Sequence, residues 1–567
     1  MKTLTRVIEK RLESNKAKTI FTFLKDGEKI ERSVSLVEIR KKSLTLLRML
    51  QKKTAVIIVL PQGISFIEAF LGCLYAQAIA IPLAIPNKNS GIENFQAIAR
   101  DANVSFGITN RQTLANLRKW FGADALAKIC EWILVEDVEA DTSDFSLPEL
   151  AKPNDIAFLQ YTSGSTAKPK AVVVTHENIV ANSEIIQKCF QNNAETVSVC
   201  WLPSFHDMGL IDGIVQPIFS NFQSVLMTPT HFLQKPIRWF KAITEYKGTY
   251  SGAPNFAFDF CVNRIKDEEL NDVDLSSLRC LYNGSEPIRP QTMRKFFERF
   301  AVVGFSENKL FTCYGLAEAT LAVTTSKLGS KPSVIKVDEK HFRQNQILLT
   351  ETELSVELVG CGFAYLDTGL KIVNPDTLEE CTERETGEIW VSGKSVTAGY
   401  LNAPEINGEN FVTRDGTRFL RTGDLGFLLN GELFVAGRIK DLIILRGKNH
   451  YPQDIEQTTF SSHQALQTNA CAAFSIEIDA EEKLVIVQEL KRAFRRIADY
   501  NSIFNQAMTE ISQRHGVAPH DLVLVSPNTL PKTTSGKIQR GKCRELWHSQ
   551  QLNALAFLRE YLYYGKN

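Results

Sequence analysis

Apolar runs too short for helices alternate, along the first hundred residues, with stretches in which apolar side chains return every three or four positions. Ala55-Val56-Ile57-Ile58-Val59-Leu60 predicts a buried strand and residues 65–75 the helix after it. Residues 78–85 predict a second strand, 93–102 a helix, and Phe106-Gly107-Ile108-Thr109 a further strand. The alternation is that of α/β units, helices packed on sheets. Ile156-Ala157-Phe158-Leu159 and Ala171-Val172-Val173-Val174 are again short and rich in β-branched residues, so both predict buried strands. Past them, Ile179, Val180, Ile186 and Phe190 fall on one helical face. Leu278 to Tyr282 and Gly369-Leu370-Lys371-Ile372-Val373 read as later strands.

A chain of 567 residues exceeds what one core sustains, so at least two domains are expected. Lys plus Arg (65) balance Asp plus Glu (64), which removes any general attraction to nucleic acid or an acidic membrane. Eleven scattered cysteines, an odd number without a C-x-x-C pair, predict reduced thiols in a cytoplasm rather than a disulfide frame or zinc site. Residues 1–13 are charged and lack the apolar core of a secretory signal. The most apolar window, 66–86, is broken by Glu68, Gln77 and Pro82, so it reads as a buried helix and strand and no membrane insertion is expected.

The chemistry concentrates between the strands at 156 and 171, in Tyr161-Thr162-Ser163-Gly164-Ser165-Thr166-Ala167-Lys168-Pro169-Lys170. Gly164 permits a backbone that wraps a ligand, the hydroxyls donate to anionic oxygens, and Lys168 and Lys170 add positive charge. Composition alone leaves two readings, a solvated hairpin turn or a phosphate cradle. It is not a P-loop, since G-x-x-x-x-G-K-[ST] is absent and no helix follows directly. Downstream lie Trp201-Leu202-Pro203-Ser204-Phe205-His206-Asp207-Met208-Gly209, Asn283-Gly284-Ser285-Glu286-Pro287 and Thr312-Cys313-Tyr314-Gly315-Leu316-Ala317-Glu318. Tyr314 beside a glycine can stack on a purine, and Glu318 offers oxygen to a hard cation. In Arg421-Thr422-Gly423-Asp424-Leu425-Gly426 an acid sits on a glycine turn, where one carboxylate can accept from both hydroxyls of a ribose.

These strings, in this order, resemble the motifs of the adenylate-forming superfamily, and the His-Asp-Met-Gly form resembles its fatty acyl-AMP ligases. The likeness runs from about residue 21 to 546. It implies a large N-terminal adenylate-forming domain, 1–438, of sheets sandwiched by helices, and a small mobile α+β domain, 441–567, hinged near Lys440. It places ATP on Thr162, Ser163, Gly164, Ser165, Thr166 and Lys170, with Gly284, Ser285, Glu286, Tyr314 and Gly315 around adenine. Asp424 and Arg438 then hold the ribose, and Mg²⁺ rests on Glu318 with Thr162 or Thr166. His206 lies between nucleotide and acyl group. In Leu530-Pro531-Lys532-Thr533-Thr534-Ser535-Gly536-Lys537-Ile538, Lys537 matches the mobile lysine that enters the site for adenylation.

The resemblance implies that a fatty acid is activated to acyl-AMP and passed to an acyl carrier protein, a separate chain since no carrier site is found here. A long-chain acyl-CoA synthetase shares the first half-reaction. An amino-acid-activating domain would need an acid in the second motif, where Asp207 is only adjacent. An adenylate-binding scaffold without chemistry would not need Glu318, Asp424 and Lys537 together. Residues 331–360 exceed what a CoA synthetase needs, and Ile347-Leu348-Leu349 and Leu354-Ser355-Val356-Glu357-Leu358-Val359 are too apolar for a disordered loop. They resemble the insertion of fatty acyl-AMP ligases, expected to pack on the large domain near the hinge; a surface hairpin is the alternative. For residues 554–567, aromatic and charged, the sequence supplies no account.

Overall fold

The computed structural model describes residues 3–14, 18–50, 52–86, 88, 92–138, 149–162, 169–353, 355–445, 448–478, 481–496, 498–533 and 536–560. The strands predicted on either side of the polar loop are Ile156–Thr162 and Lys170–Thr175, paired antiparallel. Among the described residues they end a six-stranded sheet that also holds Ala55–Ile58, Ile79–Pro82, Val104–Thr109 and Glu131–Leu134. Their alternate side chains enter different cores. Val172 and Val174 join one cluster, Ala171 and Val173 another, as a strand covered on both faces requires. The strand expected at 78–85 forms only over Ile79–Pro82.

A nine-stranded sheet lies beyond the first core and runs, among the described residues, from Phe363–Ala364 to Ile30–Ser35 through Leu310–Gly315, Cys280–Gly284 and Tyr250–Pro254. Phe21, Val199 and Leu281 from this sheet and Val56, Ile58 and Phe158 from the other share one core with residues of the helices Leu36–Leu47, Ile64–Tyr75 and His176–Phe190. This is the expected α/β sandwich. A third, antiparallel sheet contains Gly369–Val373, Gly387–Ser392, Phe411–Arg414, Thr417–Leu429 and Glu432–Arg438.

The chain then crosses a single 3₁₀ turn, Ile439–Asp441, into a smaller C-terminal domain. Its sheet orders Leu466–Ile478, Glu481–Leu490, Asp521–Val525 and Ala554–Phe557. The last strand answers the question left by residues 554–557: it pairs antiparallel with Asp521–Val525, and Leu558 beyond it is fully buried. Arg540 fastens the turn to this domain, donating from Nη1 to Asp441 (3.0 Å) and from Nε to Glu456 (2.6 Å).

The extra segment is packed, with Leu354 outside the described residues. Val334–Asp338 pairs antiparallel with Ser355–Val359, and the short helix Glu339–Phe342 follows the first strand. Val337, Phe342 and Ile347 enter a cluster with Phe427, Phe434 and Tyr451, so it is no surface hairpin. Leu348 and Leu349, read as packing residues, are 43% and 52% exposed. All eleven cysteines are free thiols, and among the described residues no helix is long and apolar enough to cross a membrane.

Candidate functional site

The motif residues converge where the sheets of the large domain meet the C-terminal domain. Asp424 and Arg438 stand directly opposite one another on neighbouring strands, and Arg438 Nε donates to Asp424 Oδ1 at 2.7 Å. Tyr314, from the nine-stranded sheet, donates its hydroxyl to the other oxygen at 2.8 Å. Burial, with Asp424 beside it, pushes the Tyr314 phenol well above its ordinary range, so the hydroxyl stays a donor. Only glycine fits at 315, where a Cβ would lie 1.9 Å from the carbonyl oxygen of Leu321, and a Cβ on Gly284 would meet Cys313 Sγ at 2.4 Å. Those approaches let the adjoining loop, with Ser285 at φ +72°, lie flat against the strand of Tyr314.

Glu318 follows on a short 3₁₀ turn and accepts from the Tyr400 hydroxyl at 2.6 Å. Tyr400 also lies under Lys170, whose Nζ is 5.5 Å from its ring centroid. Residues 397–401 bind both parts together: Thr397 N–H donates to Glu318 O, and Leu401 N–H to Ala171 O. Sequence reasoning missed Tyr400, since a lone Gly-Tyr in a stretch of small residues carries no periodicity. Thr162 ends its strand half-buried beside this group, whereas Ser163, Gly164, Ser165, Thr166 and Lys168 lie outside the described residues.

His206 Nδ1 is 2.7 Å from Asp207 Oδ1, which also accepts from Met208 N–H at 2.8 Å. Burial pushes the Asp207 carboxyl up, but His206, Lys537 and that N–H together hold it below its ordinary value. The motif turns into a π-helix, Met208–Val215, at a glycine whose Cβ would lie 2.0 Å from Pro203 O.

Lys537 comes from the other domain. Its loop is a tight turn in which Gly536 N–H donates to Thr533 O, Lys537 N–H to Thr533 Oγ1, and Gly536 adopts φ +87°. Burial pushes the Lys537 ammonium below the ordinary lysine range; Asp207, Glu286 and Asp424 oppose that, while Arg438 adds to it. The structure therefore gathers Lys537, Asp207, Glu286, Asp424 and Arg438 in one place. Glu286 also accepts from the Phe256 N–H, at the start of the helix Asn255–Arg264, and burial raises its pKa. The aromatics of that helix divide: Phe258 is fully buried, whereas Phe256 is half-buried and faces the turn of Gly536.

The C-terminal domain is gripped at a second place by the extra segment. Phe342 stacks on Tyr451 (4.8 Å, 23°), and Arg343 Nη1 donates to His515 O at 2.9 Å, capping the helix Tyr500–His515. Asn449 Nδ2 donates to Asn345 Oδ1 at 3.0 Å. Burial, with Arg343 and Arg514 nearby, pushes His515 down to about 3, and burial with Arg343 and Lys448 takes His450 to about 4. Burial and Glu339 push Asp454 up to about 7.

The family model for AMP-binding enzymes matches residues 10–401, and that for the AMP domain of Disco-interacting protein 2-like proteins matches 440–556. The chain is 37% identical to the medium-chain-fatty-acid–[acyl-carrier-protein] ligase JamA of Moorena producens, over 96% of this chain and 94% of that one. The structure is similar to that of a Legionella pneumophila fatty acyl-adenylate ligase in complex with acyl adenylate and pyrophosphate: TM-score 0.76, 37% identity, 98% of each chain. This chain is a fatty acyl-AMP ligase of the AMP-binding family. The ligase is likewise similar, at TM-score 0.87 and 28% identity over 97% of this chain and 98% of that one, to a chain from a study of fatty acyl-adenylate ligases of E. coli and L. pneumophila. As an adenylate-forming ligase it uses ATP.

Proposed function

We propose that this ligase joins a fatty acid to the α-phosphate of ATP, releases pyrophosphate, and hands the acyl group to the phosphopantetheine thiol of a separate acyl carrier protein. The observation that carries this reading is the seating of the lysine turn against the large domain, Gly536 beside Phe256 and Phe256 N–H on Glu286, which brings Lys537 among Asp207, Glu286, Asp424 and Arg438. In the first step a carboxylate oxygen attacks the α-phosphorus and the bond to the β-phosphate oxygen breaks. Both reactants are anions, so catalysis is chiefly positioning and neutralisation. Lys537 bridges nucleophile and α-phosphate, His206 sits at the acyl side, and Asp424, Arg438 and Tyr314 hold the nucleoside beside Gly284, Ser285, Glu286 and Gly315. Lys170, with Thr162 and residues 163–166, holds the phosphates. In the second step the thiolate sulfur attacks the acyl carbon and AMP leaves.

Magnesium fits the donor set. Glu318 keeps one oxygen outside its bond to Tyr400, Thr162 offers a hydroxyl, and among the described residues no cluster of three acidic, His or Cys ligands competes. A cation that prefers one carboxylate, phosphate oxygens and water suits such a site. Bound there it would offset charge on the leaving pyrophosphate.

The choice of carrier over CoA rests on the extra segment. It packs at the turn around Lys440, which we take as the hinge between domains 1–438 and 441–567, and it holds the C-terminal domain through Arg343, Phe342 and Asn345. A penalty of ~3 kcal/mol on a rotated, CoA-using pose lowers its population more than a hundredfold. Mass spectrometry of products from ATP and a fatty-acid panel, with CoA or a carrier protein, tests this. The intact enzyme is expected to yield acyl-AMP and acyl-carrier but little acyl-CoA, and deletion of residues 334–359 to expose acyl-CoA synthesis. Robust acyl-CoA formation by the intact enzyme overturns it in favour of a CoA ligase.

A further inference from the structure

A chain of polar side chains crosses from the large domain to the C-terminal one through the helix Pro290–Phe300, whose Arg294 also pairs with Glu357 of the extra segment. Asn283, next to Gly284, donates from Nδ2 to Asn255 Oδ1 (3.2 Å), and Asn255 Nδ2 donates to Thr292 Oγ1 (3.3 Å). The Thr292 hydroxyl donates to Asp259 Oδ2 at 3.0 Å, and the same oxygen accepts from Asn469 Nδ2 of the C-terminal domain at 2.7 Å. Asn255, Asn283 and Thr292 are buried, and Asn255 Oδ1 is held further by the Arg289 N–H at 3.1 Å, so the chain fixes the direction of Asp259.

Asn469 reaches Asp259 through a local irregularity. The register of its strand against Glu481–Leu490 shifts between Leu466 and Cys471, and Asn469 itself adopts φ +58°. Such bulges re-aim a side chain away from the ladder, and asparagine tolerates the left-handed backbone better than most residues. Two neighbouring contacts lie on the same face: the Arg289 guanidinium is 5.4 Å from the Phe460 ring centroid, and Phe256 underlies Gly536. The helix Asn255–Arg264 thus carries Phe256 beneath the lysine turn and, less than one turn further along, Asp259 beneath Asn469.

We propose that Asp259 and Asn469 are positioning residues, an inter-domain clasp that holds the C-terminal domain where Lys537 faces the nucleotide. Through Thr292 and Asn255 the clasp is tied to the loop beginning at Gly284, so the loop bordering the nucleotide and the seat of the mobile domain share one hydrogen-bonded chain. The clasp rests on the reading that this domain changes pose between adenylation and transfer. It acts on the balance of poses and not on the reacting atoms, since a contact made in one pose shifts the equilibrium only by its differential strength.

Exchange of donor and acceptor tests it. Asn469→Asp sets two carboxylates against each other, and adenylate formation, followed by pyrophosphate exchange, is expected to fall about tenfold or more, the scale of one hydrogen bond to a charged group. Transfer of pre-made acyl-AMP to the carrier thiol is expected to be kept or raised, which a merely structural defect would not do. Asp259→Asn combined with Asn469→Asp restores the bond with its polarity reversed and is expected to return exchange to within about threefold of the parent. Asn469→Ala, which removes the bond without repulsion, covers the case in which the charged variant folds poorly, and is expected to lower exchange while sparing transfer. Unchanged exchange in the single variants, or equal loss of both half-reactions with no rescue by the swap, overturns the clasp. Lys537→Ala runs in parallel: retained exchange in that variant refutes the proposed adenylation role itself and not the clasp.

Discussion

The Tyr314–Asp424–Arg438 cluster, proposed above as the nucleoside floor, and the lysine turn proposed to act with it are built by opposite means. Tyr314, Asp424 and Arg438 sit on strands of the large domain's sheets, and the last two are direct partners across one ladder. Asp424 is held by both of the others, through the Tyr314 hydroxyl and Arg438 Nε. Lys537 stands on a turn whose own geometry is tight, yet its place in the site depends on how one domain seats on another. In the proposed function recognition is preorganised, while the positive charge of Lys537 is conditional. A group whose charge is needed only in the transition state raises the rate without tightening the ground state.

The sharpest break of that contrast is Lys537→Ala. Adenylate formation is expected to fall by about two to three orders of magnitude, the scale of losing one preorganised electrostatic donor, while calorimetric ATP affinity stays nearly constant. An equal loss of ATP affinity would make the two regions alike and remove the distinction. Asp424→Ala should do the converse: nucleotide binding weakens by about 1–3 kcal/mol, and unchanged affinity takes Asp424 out of the ribose site.

A smaller effect concerns the seam at the extra segment. His515 and His450, held near 3 and 4 against an ordinary 6.5, lend stability above about pH 6.5 that is lost as pH falls toward those values. Asp454, raised to about 7, works the other way: its contribution is complete below about pH 4 and is lost as pH rises through 7. Two imidazoles against one carboxyl leave a net loss on acidification, on the order of 1.4 kcal/mol per pH unit. His515→Gln is therefore expected to flatten the drop in urea midpoint between pH 7 and pH 5; an unaltered slope would show that the seam does not titrate through His515.

The motif residues on both sides of that contrast were the legible part. Asp424, Tyr314, Glu318 and Lys537 stand in short contiguous motifs, where spacing along the chain carries the chemistry. The flanking strands at 156 and 171 were legible for a related reason, since a continuous apolar run has few other folds. Tyr400 and the pairing of Asp259 with Asn469 were not. The latter joins residues 210 positions apart by one polar contact, which leaves no period and no composition to read. The π-helix after His206 depends on the approach of Gly209 to Pro203 O, a tertiary contact the local pattern does not encode. The strand Ala554–Phe557 is too short for its alternation to stand out from a charged tail.

The crossing between the domains is bounded by ion pairs on both sides. Arg438 is bound to Asp424 of the large domain at 2.7 Å, and Asp441 to Arg540 of the small one at 3.0 Å. Only Ile439 and Lys440 lie between those anchors. A joint this short behaves as a bearing rather than a tether: torsion at a few backbone angles swings the whole small domain, with little slack for it to drift from its neighbour. In the proposed function those few angles set the aim of Lys537 at the nucleotide.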